Sequence, residues 1–325
     1  MASKSHDLTH GPLVQQIILF SLPLMATNVL QVLFNMSDVA VVGRFAGSTA
    51  LGAVGSTSIF VTLFTGFLIG LSNGVNVLVA RFYGARHPND VHKTVHSALI
   101  VSIIAGVVLL LVGLLGSPAL LRLLNTKEDL LPGAILYLRV YFLGMPALAL
   151  FNFGNAIFSA IGETKKPLIY LSTAGVLNIL LNLFFVIVCQ LNVVGVALAS
   201  AISQCVSAAL ILHALTKVED CYALDFKAVK LDPAMTKSIL ALGLPAGFSA
   251  AVGLVSVFCG ATNTLIPSIL LAYELFGGVG LELIALGCGV CYMLSGTHGL
   301  YSSQLFVTEK LLSEYTESWG KRLRK

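Results

Sequence analysis

Residues 23–43 read PLMATNVLQVLFNMSDVAVVG, an apolar run that is long enough to cross a bilayer and contains one carboxylate, Asp38. Its polar residues Asn28, Gln31, Asn35 and Asp38 are spaced three, four and three apart, which predicts one shared helix face. Lipid cannot satisfy such groups, so we expect this face to point into the protein. Asp38 is therefore a functional candidate, unless it is an ordinary helix-end residue in the outer headgroup region.

The composition of the whole chain agrees with this membrane assignment. Of its 325 residues, 57% are apolar and 10% are charged, and the mean hydropathy is +0.91. Continuous apolar runs disfavour a β-barrel and predict an all-α, polytopic transmembrane bundle. The net charge of +4 is too small and dispersed to indicate nucleic-acid binding.

Hydropathy divides the chain into a clear first part and a less regular second part. The block 265–298 is apolar but interrupted by Pro267, Glu274 and several glycines, so it is either one broken helix or two short ones. For the whole chain we therefore predict six helices in the first part plus about two more in the second. The predicted spans are residues 13–42, 51–80, 94–119, 133–160, 167–190, 193–215 and 237–259.

Basic residues predict the orientation of these spans, because cytoplasmic loops are enriched in Lys and Arg. A cytoplasmic N-terminus places ten loop cations inside and four outside, and the basic tail 321–325 also favours the inside. The inner cations are Lys4, Arg81, Arg86, Lys93, Lys165, Lys166, Lys217, Lys227, Lys230 and Lys237; the outer ones are Arg44, Arg122, Lys127 and Arg139.

A weak internal repeat indicates how the chain is organised. Residues 17–23 (IILFSLP) resemble residues 239–245 (ILALGLP), with six spans between them, so the two copies have the same orientation. We predict an N-terminal lobe over 1–220, a cytoplasmic linker over 221–236 and an incomplete C-terminal lobe with a basic tail over 237–325. A complete second copy would end at about residue 440, so roughly a hundred residues of the second half are expected to be missing.

Other spans carry polar stripes of the same kind. Asn152 and Asn155 are three apart, Asn178 and Asn182 are four apart, and Ser200 begins a stripe on the sixth span. One stripe alone would be interhelical hydrogen bonding, worth about 0.6 kcal/mol per pair. Stripes on at least four helices favour a shared, hydrated cavity.

The residue types in these stripes indicate which ligand they suit. A carboxylate among neutral oxygen groups suits a proton or Na⁺, because hard cations prefer oxygen ligands. We predict that Asp38 supplies the charge, and that Asn178, Asn182 and Ser200 supply neutral oxygens. No cofactor beyond the coupling ion is expected.

The order and spacing of several motifs give the chain a family resemblance. Its first 220 residues resemble the N-terminal lobe of multidrug and toxic compound extrusion (MATE) transporters. The matching features are Leu22-Pro23, Asp38 fifteen residues after Pro23, ARFYGA at 80–85, SAIGETKKP at 159–167, LNILLN at 177–182 and GVALAS at 195–200.

The resemblance implies two six-helix lobes in a V around a central cavity, and cation-coupled export of amphipathic, often cationic compounds across the plasma membrane. By motif position, Asp38, Asn178, Asn182 and Ser200 resemble the family's cation-site residues. Position 182 is often acidic in the family, and Asn182 here lacks that charge. The family positions that line the N-lobe cavity are matched by Gln31, Tyr137, Asn152 and Asn155, and the family's helix-bending proline is matched by Pro23. We add Asn35, which lies on the same stripe as Asp38, to the predicted substrate cavity.

Other classes of protein account less well for these residues. A flippase for lipid-linked saccharides shares the lobe architecture but usually has a basic cavity, whereas these spans contain almost no Lys or Arg. An intramembrane enzyme is disfavoured, because the pair His92 and His96 lacks the glutamate of a zinc-protease helix, and Cys288 and Cys291 lie in an apolar block. We therefore predict no enzyme and no metal site.

A further alternative is a transport-inactive remnant, because the second lobe is expected to be incomplete. The expected partners are membrane lipid and small amphipathic, in some cases cationic, substrates. Self-association in place of the missing lobe is also open.

Overall fold

The computed structural model describes residues 13–124, 126–262, 269, 285–288 and 291. Within these residues every regular element is a helix, which confirms the predicted all-α membrane bundle. The predicted block 265–298 lies largely outside the described residues, and the basic tail lies wholly outside them. The helices are α1 (Leu13–Phe45), α2 (Ser48–Gly84), α3 (Pro88–Leu123), α4 (Leu131–Phe142), α5 (Met145–Ala160), α6 (Lys165–Leu183), α7 (Asn192–Thr216) and α8 (Pro233–Thr262).

Five of the described helices are long and apolar enough to cross a membrane, and a sixth span results if α4 and α5 count as one. Exposed aliphatic side chains follow the outer face of α3, including Ile104, Val108 and Leu115. Lipid offers no hydrophobic driving force between helices, so the bundle depends on close packing and on internal polar contacts.

The fourth predicted span, 133–160, is not one straight helix. It is divided into α4 and α5, which meet at an angle of 47°. Pro146 lacks the N–H that would continue the helix, and Leu143 and Gly144 instead donate to Val140 and Tyr141 through i→i−3 bonds. The predicted span 133–160 is therefore present as a bent pair of helices, and the proline signals the break.

The end of α6 is also irregular. Residues Phe184–Val188 form one turn of π-helix that begins two residues after Asn182. Such turns insert a residue into an α-helix and occur frequently at functional sites. The polar residues of α6 lie on the regular turns that precede it.

The linker between α7 and α8 is held against the bundle by buried contacts. Tyr222 and Leu224 are part of the apolar core at the same end as the start of α3. His96, which is 2% exposed, accepts the Asp225 N–H at Nε2 (3.2 Å), and its Nδ1 lies 2.7 Å from the carbonyl oxygen of His92. The Asp232 N–H donates to Ser97 Oγ at 3.1 Å.

Two glycines allow α2 and α8 to cross at very short distance. A Cβ on Gly74 would lie 2.5 Å from the Ile239 carbonyl oxygen and 2.7 Å from the Gly243 backbone nitrogen. Because these neighbours are backbone atoms, no side-chain movement would relieve the overlap. The chain separates into two compact units after Ala246, so this crossing belongs to the first unit.

Candidate functional site

Asp38 lies in α1, seven residues before its end, and is 1% exposed. Its carboxylate accepts hydrogen bonds from three side chains on three other helices. Asn182 Nδ2 donates to Oδ1 at 2.9 Å, and Ser200 Oγ donates to Oδ2 at 2.7 Å. The Tyr137 hydroxyl donates to Oδ2 at 3.3 Å. We call Asp38, Tyr137, Asn178, Asn182 and Ser200 the carboxylate cluster.

The members of the carboxylate cluster also bind one another. Asn178 Nδ2 donates to Ser200 Oγ at 3.0 Å, and Asn182 Nδ2 donates to Asn178 Oδ1 at 3.2 Å. Asn182 Oδ1 has no hydrogen-bond partner among the described residues. The spacing of four in α6 places the two asparagines one turn apart on the same face, and α7 supplies Ser200 opposite them.

Sequence reasoning grouped Asp38 with Asn178, Asn182 and Ser200, and the structure brings these four together. Tyr137 was expected to line the substrate cavity, whereas its hydroxyl contacts Asp38. Among the residues that the structure describes, no basic side chain forms an ion pair with Asp38. The cluster is therefore one carboxyl group surrounded by neutral hydrogen-bond donors.

Three other predicted cavity residues lie on α1 and α5. Gln31 Nε2 donates to Asn152 Oδ1 at 3.2 Å, and Asn152 Nδ2 donates to the Leu148 carbonyl at 2.9 Å. Gln31 Oε1 and Asn155 Oδ1 are buried and find no partner in the described part of the chain. Gln31 and Asn152 thus form a polar contact between helices, separate from the bonds around Asp38.

The α1 stripe is only partly buried. Asp38 is buried and Gln31 half-buried, but Asn28 is exposed, so the prediction that Asn28 faces the interior was wrong. Ten residues turn an α-helix by about 1,000°, which is about 80° short of three full turns, so Asn28 drifts off the face of Asp38. The side chain of Asn35 lies outside the described residues.

Pro23, the predicted kink residue, is buried inside α1. It removes one intrahelical hydrogen bond from this helix. Its own carbonyl accepts both within the helix and from Thr27 Oγ1, at 2.9 Å.

A small cavity of about 30 Å³, lined by polar and apolar side chains, lies beside the carboxylate cluster. Ser200 belongs to both, and Gln31 connects the cavity to Asn152. Four other polar side chains lie around it, of which sequence reasoning had placed Thr65, Gln204 and Ser207 on polar stripes of the second and sixth spans but had not singled out Tyr141. Gln204 is four residues after Ser200, a stripe that sequence periodicity shows, but Tyr141 required knowledge of the α4–α5 break.

The described residues contain no group of three or more His, Cys, Asp or Glu side chains that would hold a metal ion. His92 and His96 lie close together, but both nitrogens of His96 contact backbone groups. His96 therefore helps to hold the linker.

The packed apolar helices around the buried carboxylate cluster define a polytopic helical membrane protein. A family model described as MatE matches residues 23–184. A probable multidrug resistance protein, YpnP of Bacillus subtilis, is 31% identical over 250 residues, which cover 75% of this chain and 54% of YpnP. The multidrug export protein MepA of Staphylococcus aureus is 27% identical over 270 residues, covering 82% of this chain and 58% of MepA.

Solved structures agree with the sequence comparisons. A crystal structure of MATE in the bent conformation superimposes with a TM-score of 0.74 and 25% identity, covering 91% of this chain and 67% of that one. The chain belongs to the MATE family of membrane transporters, which are not enzymes. It spans about half the length of the curated relatives that it matches.

Proposed function

We propose that the chain exports small amphipathic organic compounds in exchange for a cation that binds at Asp38. The observation that carries this proposal is the carboxylate cluster, in which Asn182, Ser200 and Tyr137 donate to one buried carboxyl group. An ionised carboxylate without a partner is costly at membrane depth, at least about 2.5–3.5 kcal/mol on insertion scales. A bound proton or metal cation removes that cost, so the site favours cation uptake.

The arrangement of donors favours a proton as the coupling ion. The three groups that contact Asp38 point N–H or O–H bonds at the carboxylate, and these bonds stabilise the anion while no cation is bound. Na⁺ would require oxygen atoms turned toward it. Na⁺ is the second candidate, because Asn182 Oδ1 has no partner among the described residues and is such an oxygen.

The substrate class is proposed from the relatives and from the polar contacts of the lobe. Two relatives are named as multidrug resistance or multidrug export proteins. Gln31 and Asn152 offer amide groups on apolar helices, which suit a compound with an apolar body and a few polar groups. The cavity beside them holds about 30 Å³, so a drug-sized compound requires α1 to move away from α5 and α7.

The proposal includes a plasma-membrane location with a cytoplasmic N-terminus, supported by the distribution of loop cations described above. Self-association is a further part of it, because exchange between two sides of a membrane requires two bodies that move against each other. Comparing monomeric and dimeric fractions of the purified chain tests this part: transport by the dimer alone supports it, and equal transport by monomers contradicts it.

The direct test is transport by the 325-residue chain in proteoliposomes, with ethidium as the probe. With an imposed pH gradient we expect ethidium movement that stops when nigericin removes the gradient, and that Asp38→Asn abolishes. Asp129→Asn, which changes an exposed carboxylate, is the matched control and should leave transport unchanged. Undiminished transport by Asp38→Asn, or none by the unaltered chain, contradicts the proposal, whereas transport that follows a Na⁺ gradient selects the second candidate.

A further inference from the structure

Three polar atoms that lack hydrogen-bond partners belong to residues that line the cavity beside the carboxylate cluster, together with the apolar side chains of Phe34, Leu148 and Leu171. Gln31 Oε1, Thr65 Oγ1 and Gln204 Oε1 are buried and make no hydrogen bond of normal geometry with the described residues. All three residues line the same cavity of about 30 Å³. The Tyr141 hydroxyl lies beside both Thr65 and Gln204. A buried polar atom without a partner is costly, so an atom of this kind calls for a ligand.

We propose that this cavity binds one or two water molecules, which exchange protons with Asp38 through Ser200. A buried water needs about 10–15 Å³ and two to four polar partners, and the cavity provides both. A water molecule donates two hydrogen bonds and accepts two. It donates to the amide oxygens of Gln31 and Gln204, and it accepts from the hydroxyl of Thr65 or Tyr141.

The break between α4 and α5 creates room for the Gln204 amide. A Cβ on Gly144 would overlap Gln204 Oε1 and would lie 3.0 Å from the Ala201 Cα atom. Gly144 follows the last turn of α4, which carries Tyr141. The absence of a side chain at this point therefore places Gln204 and Tyr141 at one cavity.

Ser200 connects the water site to the carboxylate cluster. Its hydroxyl donates to Asp38 Oδ2, and the same residue lines the cavity. When Asp38 is protonated, its O–H donates to Ser200 Oγ, and the serine hydroxyl turns toward the water. The carboxyl proton then moves to Ser200 Oγ while the serine proton moves to the water. This leaves Asp38 ionised and the water as hydronium. In D₂O the serine hydroxyl, while Asp38 is ionised, exchanges its proton with the solvent for a deuteron, and the return step passes this deuteron to the carboxylate while a second one replaces it on Ser200 Oγ. One carboxyl O–H and one serine O–H thus become O–D, and two O–D bonds of the solvent become O–H.

The importance of this exchange for coupling rests on the proposed function, whereas the water site does not. The test therefore measures exchange without transport. Infrared spectra of the reconstituted chain at acidic pH contain the C=O stretch of protonated Asp38, identified as the band that Asp38→Asn removes. We record the rate at which this band shifts after the buffer is switched from H₂O to D₂O.

Replacing the groups that bind the water should slow this shift. We expect Thr65→Val combined with Gln204→Met to slow the band shift at least tenfold. Thr65→Ser keeps the hydroxyl, so we expect this single variant to exchange at the rate of the unaltered chain. Thr57→Val is the matched control, because Thr57 is buried in the same helix, donates to the Val54 carbonyl and does not line the cavity. The single variants Thr65→Val and Tyr141→Phe are measured as well, because they remove few atoms and leave the fold testable if the double variant is unstable.

Two results would overturn the proposal. One is an unchanged exchange rate in variants that still unfold cooperatively. The other is a map at a resolution that shows ordered water, with no density between Gln31, Thr65 and Gln204. A chain that exchanges its Asp38 proton as expected but moves no ethidium would contradict the proposed function and leave the water site in place.

Discussion

Arg139 compensates for a proline on the neighbouring helix, which predicts a specific coupling between the two residues. Pro118 lies inside α3 and has no N–H, so the Leu114 carbonyl four residues earlier lacks its helical donor. The Nε–H group of Arg139 donates to that carbonyl at 3.1 Å. At a rise of 1.5 Å per residue, Leu114 lies about 13 Å before the end of α3 and Arg139 about 12 Å after the start of α4. The carbonyl therefore lies within the long apolar helix α3 rather than at its end.

The magnitude of this contact follows from two opposing effects. A hydrogen bond to a charged group contributes about 1.5–3 kcal/mol, but pairs measured within membranes average about 0.6 and reach about 1.7. The exposed Arg139 side chain also carries an insertion cost of up to about 2.5–3.5 kcal/mol. Arg139→Met removes the bond and this cost together, so the sign of its effect alone is uninformative.

A double-mutant cycle separates the two effects. Pro118→Ala restores an N–H that bonds the Leu114 carbonyl, which makes the Arg139 bond redundant. We expect Arg139→Met to be about 1–2 kcal/mol more destabilising with Pro118 than with alanine at that position. The measurement is reversible unfolding in mixed micelles by titration with SDS.

The control cycle pairs Pro118→Ala with Arg44→Met, since Arg44 is an exposed cation at the end of another helix. This pair should show no coupling within about 0.3–0.5 kcal/mol. A coupling of zero between Arg139 and Pro118, or one of opposite sign, would refute the reasoning.

Three further predictions concern the α2–α8 crossing and the linker. Gly74→Ala should cost about 1–3 kcal/mol in the same unfolding assay, whereas Gly66→Ala, with nothing within 4 Å, should be neutral or stabilising. His96→Ala should increase hydrogen exchange of the Asp225 amide at least tenfold by mass spectrometry, with the exposed His87→Ala as control; equal exchange contradicts the contact. Burial, and secondarily Asp220, raises the pKa of Cys221 to about 11, so its thiolate fraction falls and maleimide should label it about tenfold more slowly than an ordinary thiol at pH 8. Labelling at the ordinary rate would contradict that last prediction.

The spans and the centre of the candidate site followed from sequence because both depend on local rules. An apolar run of about 20 residues specifies a span without reference to the rest of the fold. Asp38 was found because a carboxylate at membrane depth is rare and costly, and Asn178 and Asn182 because a spacing of four places them on one helix face. The positions of helix breaks and caps were harder to predict from sequence, as the division at Gly144 shows.

Contacts between distant segments were not predictable from sequence, because the residue that explains each contact lies on another helix or in the linker. Gly74 appears in sequence as one of many small residues, and its role depends on Gly243 crossing it. Arg139 reads as an ordinary outer cation until Pro118 is seen to free a carbonyl beside it. The spacing of His92 and His96 in α3 raised only the question of a metal site, which we rejected, and gave no sign that His96 binds the backbone of the linker.

These distant contacts all satisfy backbone groups or permit close backbone approach. Arg139 donates to a carbonyl that a proline leaves without its helical donor, His96 accepts the Asp225 N–H, and Gly74 allows two helices to approach closely. In a bilayer, an unpaired backbone group has no water to bind, so each irregularity in a helix requires a partner elsewhere. Among the buried side-chain atoms that lack partners in the described residues, those of Gln31, Thr65 and Gln204 belong to residues that line one cavity and therefore call for a ligand. Their position beside Ser200, which itself donates to Asp38, is why we assign them water that exchanges protons with the carboxylate.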